Sequence, residues 1–86
     1  MLVGMNSNSH TAVNIKLKLG QRVKSLRHEQ KISQEELAAR SGLDRTYLAG
    51  IESGKRNPTI ESIQKVASGL GISLAQFFEA DDFKGL

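Results

Sequence analysis

Apolar side chains recur at helical spacing along most of the chain, and capping or turn residues separate the runs. Between about Asn14 and Gln30, apolar residues at intervals of four, four and three form one helical stripe: Ile15, Leu19, Val23 and Leu26. Thr59 is expected to cap a further helix, whose apolar residues are Ile60, Ile63, Val66, Ala67 and Leu70. Ser73, with Gln76 three residues later, predicts a capping box at the start of the last helix. The pattern predicts five short helices and no convincing strand, hence a compact all-α bundle.

Two of the predicted helices, joined by a tight turn, occupy residues 33–52. Ser33, with Glu36 three residues later, predicts a capping box at the start of the first helix. Gly42 falls where a left-handed residue would end that helix, and Asp44 then caps the second one. The stretch therefore predicts a helical hairpin with a short connection.

The second of these helices has two different faces. At about 100° per residue, Leu48 and Ile51 share its inner face. Arg45 and Tyr47 flank the outer face, which carries small or short polar residues: Thr46, Ala49, Gly50 and Ser53. Such a face lets the helix backbone approach a base-lined major groove closely. An ordinary hairpin inside an all-α core is the alternative.

The same stretch resembles the helix-turn-helix of phage-repressor-like regulators (the XRE family). The residues that stand at the spacing of that motif are Leu37, Ala38, Gly42, Leu43, Leu48 and Ile51. The resemblance continues through SGKRNPT and ISLAQFF, and the strings LDRTYLAGIE and GLGIS..QFFE are most similar to controller proteins of restriction–modification systems. It implies a lambda-repressor-like DNA-binding fold.

Three segments follow from these patterns. Residues 1–13 are Asn/Ser-rich without periodicity and are expected to be a disordered tail. Residues 14–80 form the predicted helix-turn-helix domain, with dimerisation helices at its C-terminal end. Residues 81–86 are expected to be a frayed tail.

Charge is distributed unevenly along the chain, whose net charge is +3. Residues 1–56 hold ten Lys/Arg against five Asp/Glu, and residues 57–86 hold two against four. A basic front suits a protein that faces a polyanion with one side. Together with the resemblance to helix-turn-helix regulators, this charge distribution makes double-stranded operator DNA the expected partner.

Composition argues against catalysis and against a bound cofactor. There is no cysteine, and His10 and His28 lack the spacing of a ligand set, so no metal is expected. The chain shows no nucleophile–base pair and no phosphate-cradling glycine loop, so it is not expected to be an enzyme.

Nothing in the sequence predicts a membrane partner. No apolar run approaches the roughly 20 residues that span a bilayer. The start MLVGMNSNSH lacks the basic region and long apolar core of a secretory signal. A cytoplasmic, nucleoid-associated location is expected.

The second helix of the helix-turn-helix is the expected recognition helix, and Arg45 and Thr46, near its start, are expected to read bases. Tyr47 is expected either to read a base or to pack on a sugar. Gly50 stands where the repressors that this chain resembles more commonly carry a longer polar residue that reads bases. Much of the specificity is therefore expected to come from DNA shape and deformability. The expected phosphate contacts are Ser33, Gln34, Ser53, Lys55, Arg56 and Asn57. A generic basic loop is the alternative for Lys55 and Arg56.

Arg27 and Glu52 are expected to form a partly buried ion pair. Both lie near the inward side of their helices, and the family pattern pairs an arginine with a glutamate at these positions. A solvated pair is the alternative. The buried pair would fix helix orientation more than it would add stability.

Two adjacent phenylalanines occupy a predicted helix of barely two turns. Because adjacent residues point about 100° apart, one ring should complete the core and the other should be left in an exposed patch. The predicted homodimer interface consists of Ile72, Leu74, Phe77 and Phe78. The alternative is that the C-terminal residues DDFKGL merely cover the patch.

Together these features predict a sequence-specific transcriptional regulator that binds a pseudo-palindromic operator as a dimer. For a controller protein, the resemblance implies autoregulation and activation of endonuclease expression, with RNA polymerase as a candidate partner. A generic phage-type or chromosomal repressor and the antitoxin of a toxin–antitoxin pair are the alternatives. The neighbouring gene, encoding an endonuclease or a toxin, would distinguish them.

Overall fold

The computed structural model describes the backbone of residues 2–86 and the side chains of residues 15–86. Within that part the chain forms five α-helices and no strand, as predicted. The helices are α1 (Leu2–Glu29), α2 (Gln34–Ser41), α3 (Arg45–Glu52), α4 (Ile60–Gly69) and α5 (Leu74–Phe78), followed by a 3-10 turn at Asp81–Phe83. None of the helices described is both long enough and apolar enough to cross a bilayer.

Helix α1 begins at Leu2, whereas the apolar stripe predicted a start near Asn14. A stripe marks only the part of a helix that packs, so it does not locate the first residue. The predicted disordered tail, residues 1–13, concerns positions outside the part of the chain whose side chains are described, and it stays a prediction.

A side-chain cap starts each helix after α1, as predicted. Ser33, Asp44, Thr59 and Ser73 accept N–H groups from the first turns of α2, α3, α4 and α5, respectively. Gly42, with φ of 67°, ends α2 in the left-handed conformation that glycine adopts without steric cost. The connection between α2 and α3 is therefore as short as the sequence predicts.

The two predicted capping boxes differ. Ser73 and Gln76 form a complete box at α5. At α2, Ser33 accepts the N–H of Glu36 at 3.0 Å, but the carboxylate of Glu36 pairs with Arg40 at 3.0 Å. Only half of the box predicted there forms, because the arginine one turn on supplies a charged partner.

One apolar core joins the helices, with α2 packed against α4 and α1 against α3. Its members are Leu19, Val23, Leu37, Ala38, Leu48, Ile51, Ile63, Val66, Ala67, Leu70 and Phe77. A Cβ at Gly20 would collide with the carbonyl oxygen of Ile51 and would lie 2.7 Å from that of Glu52. The glycine therefore lets α1 touch the C-terminal end of α3 directly.

Two sequence expectations about the apolar residues need correction. Ile60, one of the apolar residues expected on α4, is 63% exposed, because it begins the helix ahead of the first buried positions, Ser62 and Ile63. The C-terminal segment was expected to fray, yet residues 81–83 form a turn, and Phe83 packs against the core. Packing removes part of this apolar ring from water, which favours the turn.

Candidate nucleic-acid interface

Helix α3 faces the core on one side and solvent on the other. Leu48 and Ile51 are fully buried, and Glu52 is buried beside them. Arg45 and Thr46 are exposed at the start of the helix. The predicted inner face is confirmed, and the first residues of α3 are accessible to a large ligand, whereas Ala49 and Gly50 on the outer face are half-buried.

A doubly hydrogen-bonded ion pair holds the end of α3 to α1. Arg27 Nε donates to Glu52 Oε2 at 2.7 Å, and Arg27 Nη2 donates to Glu52 Oε1 at 3.0 Å. The two side chains are only 10% and 4% exposed. Arg27 Nη1 also donates to the carbonyl of Ile32 at 2.8 Å, in the connection between α1 and α2. The predicted buried pair is present.

Gln34, the first residue of α2, adds a third donor to this pair through Nε2, 3.1 Å from Glu52 Oε1. Burial raises the pKa of Glu52, but the hydrogen bonds from Arg27 and Gln34 outweigh it and hold that pKa below its usual value. The hydrogen bond to Glu52 raises the pKa of Arg27. Both groups therefore stay charged, and the network fixes α3 relative to α1 and α2.

Arg45 lies against an acidic residue of α2. Its Nε is 3.2 Å from Glu35 Oε2, and the two side chains are 56% and 69% exposed. A pair this exposed contributes about 0–1 kcal/mol, so the guanidinium can exchange Glu35 for another acceptor at little cost. The sequence did not reveal this competing carboxylate.

Tyr47 is anchored at its hydroxyl group. Its Oη lies 3.1 Å from Ser62 Oγ in α4, and that oxygen lies 2.9 Å from Thr59 Oγ1. The guanidinium carbon of Arg56 lies 5.6 Å from the centre of the ring, in cation–π range. The ring is therefore a fixed platform on the flank of α3.

The turn after α3 is tied back to one carbonyl group. The oxygen of Gly50 accepts from Ser53 Oγ at 3.1 Å, from the Lys55 N–H at 3.0 Å and from the Arg56 N–H at 3.1 Å. Lys55, Arg56 and Asn57 are exposed. Two cations are thus held at the C-terminal end of α3.

The start of α2 is a weaker candidate for an anion contact. The hydroxyl of Ser33 already accepts from Glu36, and the side chain of Gln34 donates to Glu52. What remains is the set of N–H groups in the first turn, at the positive end of the helix dipole. Glu35 and Glu36 in the same turn oppose the approach of an anion.

The predicted dimer residues separate into buried and exposed members. Phe77 is fully buried, so it belongs to the monomer's core rather than to an interface, whereas Phe78 is 38% exposed. Ile72 and Leu74 are half-buried and pack on the core. The ring of Phe83 lies 5.2 Å from that of Phe78, so the C-terminal segment covers part of the patch.

An apolar groove of about 490 Å³ adjoins Phe78. Its lining comes from α1, the α3–α4 turn, α4 and the C-terminal residues: Ile15, Leu19, Asn57, Pro58, Ile60, Ile63, Phe78, Phe83 and Leu86. Ile15, Ile60, Phe78 and Leu86 are large apolar residues that remain exposed there. The exposed patch therefore lies closer to α1 and α4 than the sequence predicted.

The groups around α3 are suited to binding an anionic ligand. Cations and hydrogen-bond donors surround one exposed helix face. Among the side chains of residues 15–86, no group of three His, Asp or Glu residues could hold a metal ion.

Comparison with known proteins identifies the class to which this arrangement belongs. The sequence model of the helix-turn-helix family matches residues 23–77, from the buried part of α1 to α5. The chain belongs to the helix-turn-helix family. Helix-turn-helix proteins of this type are DNA-binding regulators of transcription, and this chain is one of them.

Within that family the chain is similar to controller proteins. It is 46% identical over 66 residues to the control protein C.MunI of a Mycoplasma species, a match that covers 76% of this chain and 89% of that protein. The restriction–modification controller protein C.AhdI from Aeromonas hydrophila is 45% identical, with a TM-score of 0.69 over 72% of this chain and 94% of that one. The controller protein C.Esp1396I, solved as a tetramer with its natural 35-base-pair operator, is 44% identical, with a TM-score of 0.71 over 73% and 83%. The resemblance predicted from the sequence is confirmed.

One further contact of this helix-turn-helix protein escaped prediction. The guanidinium of Arg22 donates to the carbonyl groups of Phe77, at 2.7 Å, and Gln76, at 2.9 Å, and so closes the end of α5 against α1. No spacing rule signals a contact between residues 55 positions apart. Glycine inside a helical run, as at Gly20 and Gly50, is by contrast a visible signal of close approach.

Proposed function

We propose that this chain is a sequence-specific regulator of the controller-protein type, which binds a pseudo-palindromic operator as a homodimer. The observation that carries the proposal is the exposure of Arg45 and Thr46 on a helix whose inner side is fixed by Leu48 and Ile51. A helix held in this way can enter a major groove with its first residues towards the base edges.

Arg45 and Thr46 are the proposed base-reading residues. The guanidinium of Arg45 can donate to O6 and N7 of guanine together, and the methyl group of Thr46 can meet the methyl group of thymine. Tyr47, held by Ser62, either reads a neighbouring base or packs on a sugar. Its anchored hydroxyl supports the packing role.

Phosphate contacts are proposed on both sides of α3. On one side they come from the turn after the helix, through Ser53, Lys55, Arg56 and Asn57. On the other they come from Ser33, Gln34 and the N–H groups that begin α2. Such contacts set the register and supply most of the affinity. Positions 1–56 hold ten cationic and five anionic residues. This excess of positive charge supports an orientation in which these elements face the DNA.

A second copy of the chain is the proposed occupant of the apolar groove beside Phe78. A two-fold dimer uses the same surface on both subunits, and exposed Ile60, Phe78 and Leu86 give each copy an apolar surface to pair. Ile72 and Leu74 contribute through their exposed parts. The two α3 helices would then lie about 34–36 Å apart and enter successive major grooves.

The regulatory consequences rest on similarity to the control proteins. We expect the dimer to bind the promoter of its own gene and to activate expression of a neighbouring endonuclease gene, with RNA polymerase as its partner. A restriction endonuclease gene beside its own is the expected arrangement. A small toxin gene there would favour the antitoxin alternative.

DNase I footprinting on the DNA upstream of the chain's own coding sequence tests this proposal. The expected result is protection of two half-sites about one helical turn apart, at concentrations that leave unrelated DNA of equal length unprotected. The comparison is Arg45→Ala, which should reduce the difference in affinity between the two DNAs without abolishing it, because it removes the reading of one base pair in each half-site. Equal affinity of the wild type for both DNAs, or a single isolated half-site, would contradict the proposal.

A further inference from the structure

Gly50 stands within α3 with an ordinary helical backbone. In the described part of the chain, the glycines with positive φ are Gly42, Gly54, Gly71 and Gly85. Position 50 therefore does not need glycine for its conformation. Glycine also weakens a helix relative to alanine, so its presence calls for another reason.

The space beside Gly50 is occupied by Arg56. A Cβ at position 50 would collide with Cγ of Arg56, and it would lie 3.5 Å from both Cβ and Cδ of that residue. The N–H of Arg56 also donates to the carbonyl of Gly50 at 3.1 Å. The apolar stem of the arginine therefore lies directly on the bare backbone of α3.

The charged end of Arg56 lies over Tyr47. The guanidinium carbon is 5.6 Å from the centre of the ring, and Ser62 holds the tyrosine hydroxyl at 3.1 Å. Because positions 47 and 50 are three apart, they lie on the same side of the helix. The arginine thus extends along α3, with its stem on Gly50 and its guanidinium on a fixed ring.

We propose that Gly50 is a positioning residue for DNA recognition, which acts through Arg56. The missing side chain lets Arg56 lie along α3 and present its cation at a fixed place to the phosphates that flank the groove α3 enters. A side chain ordered before binding loses less rotamer freedom on binding. The inference rests on the proposed function. It assigns Gly50 a role in placing Arg56, in addition to its effect of reducing the number of base contacts.

A double-mutant cycle on operator binding separates this role from a simpler one, in which glycine only lets the helix backbone approach DNA. The dissociation constant is measured for the wild type, Gly50→Ala, Arg56→Ala and the double variant. We expect each single change to raise the dissociation constant about tenfold, as the loss of one contact would. Each should also make the dependence of binding on salt concentration shallower, by the same amount in both variants. The double variant should bind no more weakly than Arg56→Ala.

Two results of this cycle would overturn the proposal. If Gly50→Ala weakens binding as much in the Arg56→Ala background as in the wild type, the backbone itself meets the DNA. If Gly50→Ala binds like the wild type, Arg56 does not need the open position. Absence of operator preference in the wild type would instead overturn the proposed function, and this role with it.

Measurements without DNA test the contact itself. Tyr47 is the only tyrosine and the chain has no tryptophan, so intrinsic fluorescence reports on this ring alone. Gly50→Ala and Arg56→Ala should change that signal in the same way, and the melting temperature of Gly50→Ala should not fall, because alanine favours helix. Ala49→Ser, at the neighbouring position of α3, is the matched control and should leave the signal unchanged. An unchanged signal in Gly50→Ala would contradict the proposal.

Discussion

Arg27 and Glu52 meet through two hydrogen bonds, 2.7 Å and 3.0 Å long, with side chains that are 10% and 4% exposed. The pair joins α1 to the last residue of α3. The helix that carries Arg45 and Thr46 is therefore held in one orientation. Replacing a buried ion pair by apolar residues is often neutral for stability. We therefore infer that this pair fixes the orientation of α3 more than it adds to the stability of the fold.

Alanine substitutions of Arg27 and Glu52 should be strongly coupled in unfolding. Removing one partner leaves a buried charge uncompensated and should cost about 3–5 kcal/mol, whereas removing both should cost less than the sum of the two. Urea unfolding of the four proteins measures the coupling. The control is the Arg40–Glu36 pair, whose side chains are 42% and 52% exposed and whose coupling should be about 0–1 kcal/mol. Additivity within about 0.5 kcal/mol at Arg27 and Glu52 would rule out the coupling.

The same carboxyl group should make the fold less stable in acid. Because the pKa of Glu52 is lowered in the folded chain, its ionised form stabilises the fold above the unfolded-state pKa of about 4.3. That stabilisation is lost as pH falls through the folded pKa. The free energy of unfolding of the wild type should therefore approach that of Glu52→Gln between about pH 5 and pH 3. A difference that stays constant over this window would show that protonation of Glu52 is not linked to folding.

Glu35→Gln should strengthen operator binding. Glu35 lies 3.2 Å from Arg45 and competes with the DNA for its guanidinium, and its charge repels phosphates. Since an exposed pair contributes about 0–1 kcal/mol, the gain should be at most about fivefold. Fluorescence anisotropy with labelled operator measures it, and Glu79→Gln, which removes the same charge after α5, is the control. Weaker binding by Glu35→Gln, or an equal gain in both variants, would count against local competition.

Phe77→Ser should prevent folding, whereas Phe78→Ser should change the oligomeric state and the DNA affinity. Phe77 is fully buried, so a polar residue there should cost about 3–5 kcal/mol and prevent stable folding. Phe78 is 38% exposed, so its variant should stay folded, become monomeric and lose DNA affinity. Leu17→Ser, at a residue 44% exposed outside the groove, is the control that should remain dimeric. Thermal melts and sedimentation distinguish these results. A dimeric Phe78→Ser, or a wild type that is monomeric at micromolar concentration, would move the interface elsewhere.

Local features of this fold could be predicted because their partners lie close together along the chain. Asp44, Thr59 and Ser73 each bond an N–H within three positions, and helical phase then separates Leu48 and Ile51 from the exposed side of α3. Capping and phase together therefore located helices α2 to α5 and the exposed residues that begin α3.

Contacts between distant elements could not be read in this way. Helical phase says which side of a helix faces inward but not which neighbour stands opposite. The pairing of Glu35 with Arg45, the return of Phe83 onto Phe78 and the exposure of Ile60 all depend on how the helices cross. The position of Arg56 over Gly50 depends on the path of the turn, which the sequence marks only by its glycine and proline residues.

The central claim, that the outer face of α3 reads bases, is tested most directly by measuring the binding of wild type and Arg45→Ala to a panel of singly substituted operators. Arg45→Ala should lose discrimination at one base pair in each half-site, by about 1–3 kcal/mol, and should keep it elsewhere. Arg56→Ala is the comparison; it should weaken binding to every sequence and make the salt slope shallower by about one. An equal loss of affinity by Arg45→Ala across the whole panel would contradict base reading and assign Arg45 to the phosphates.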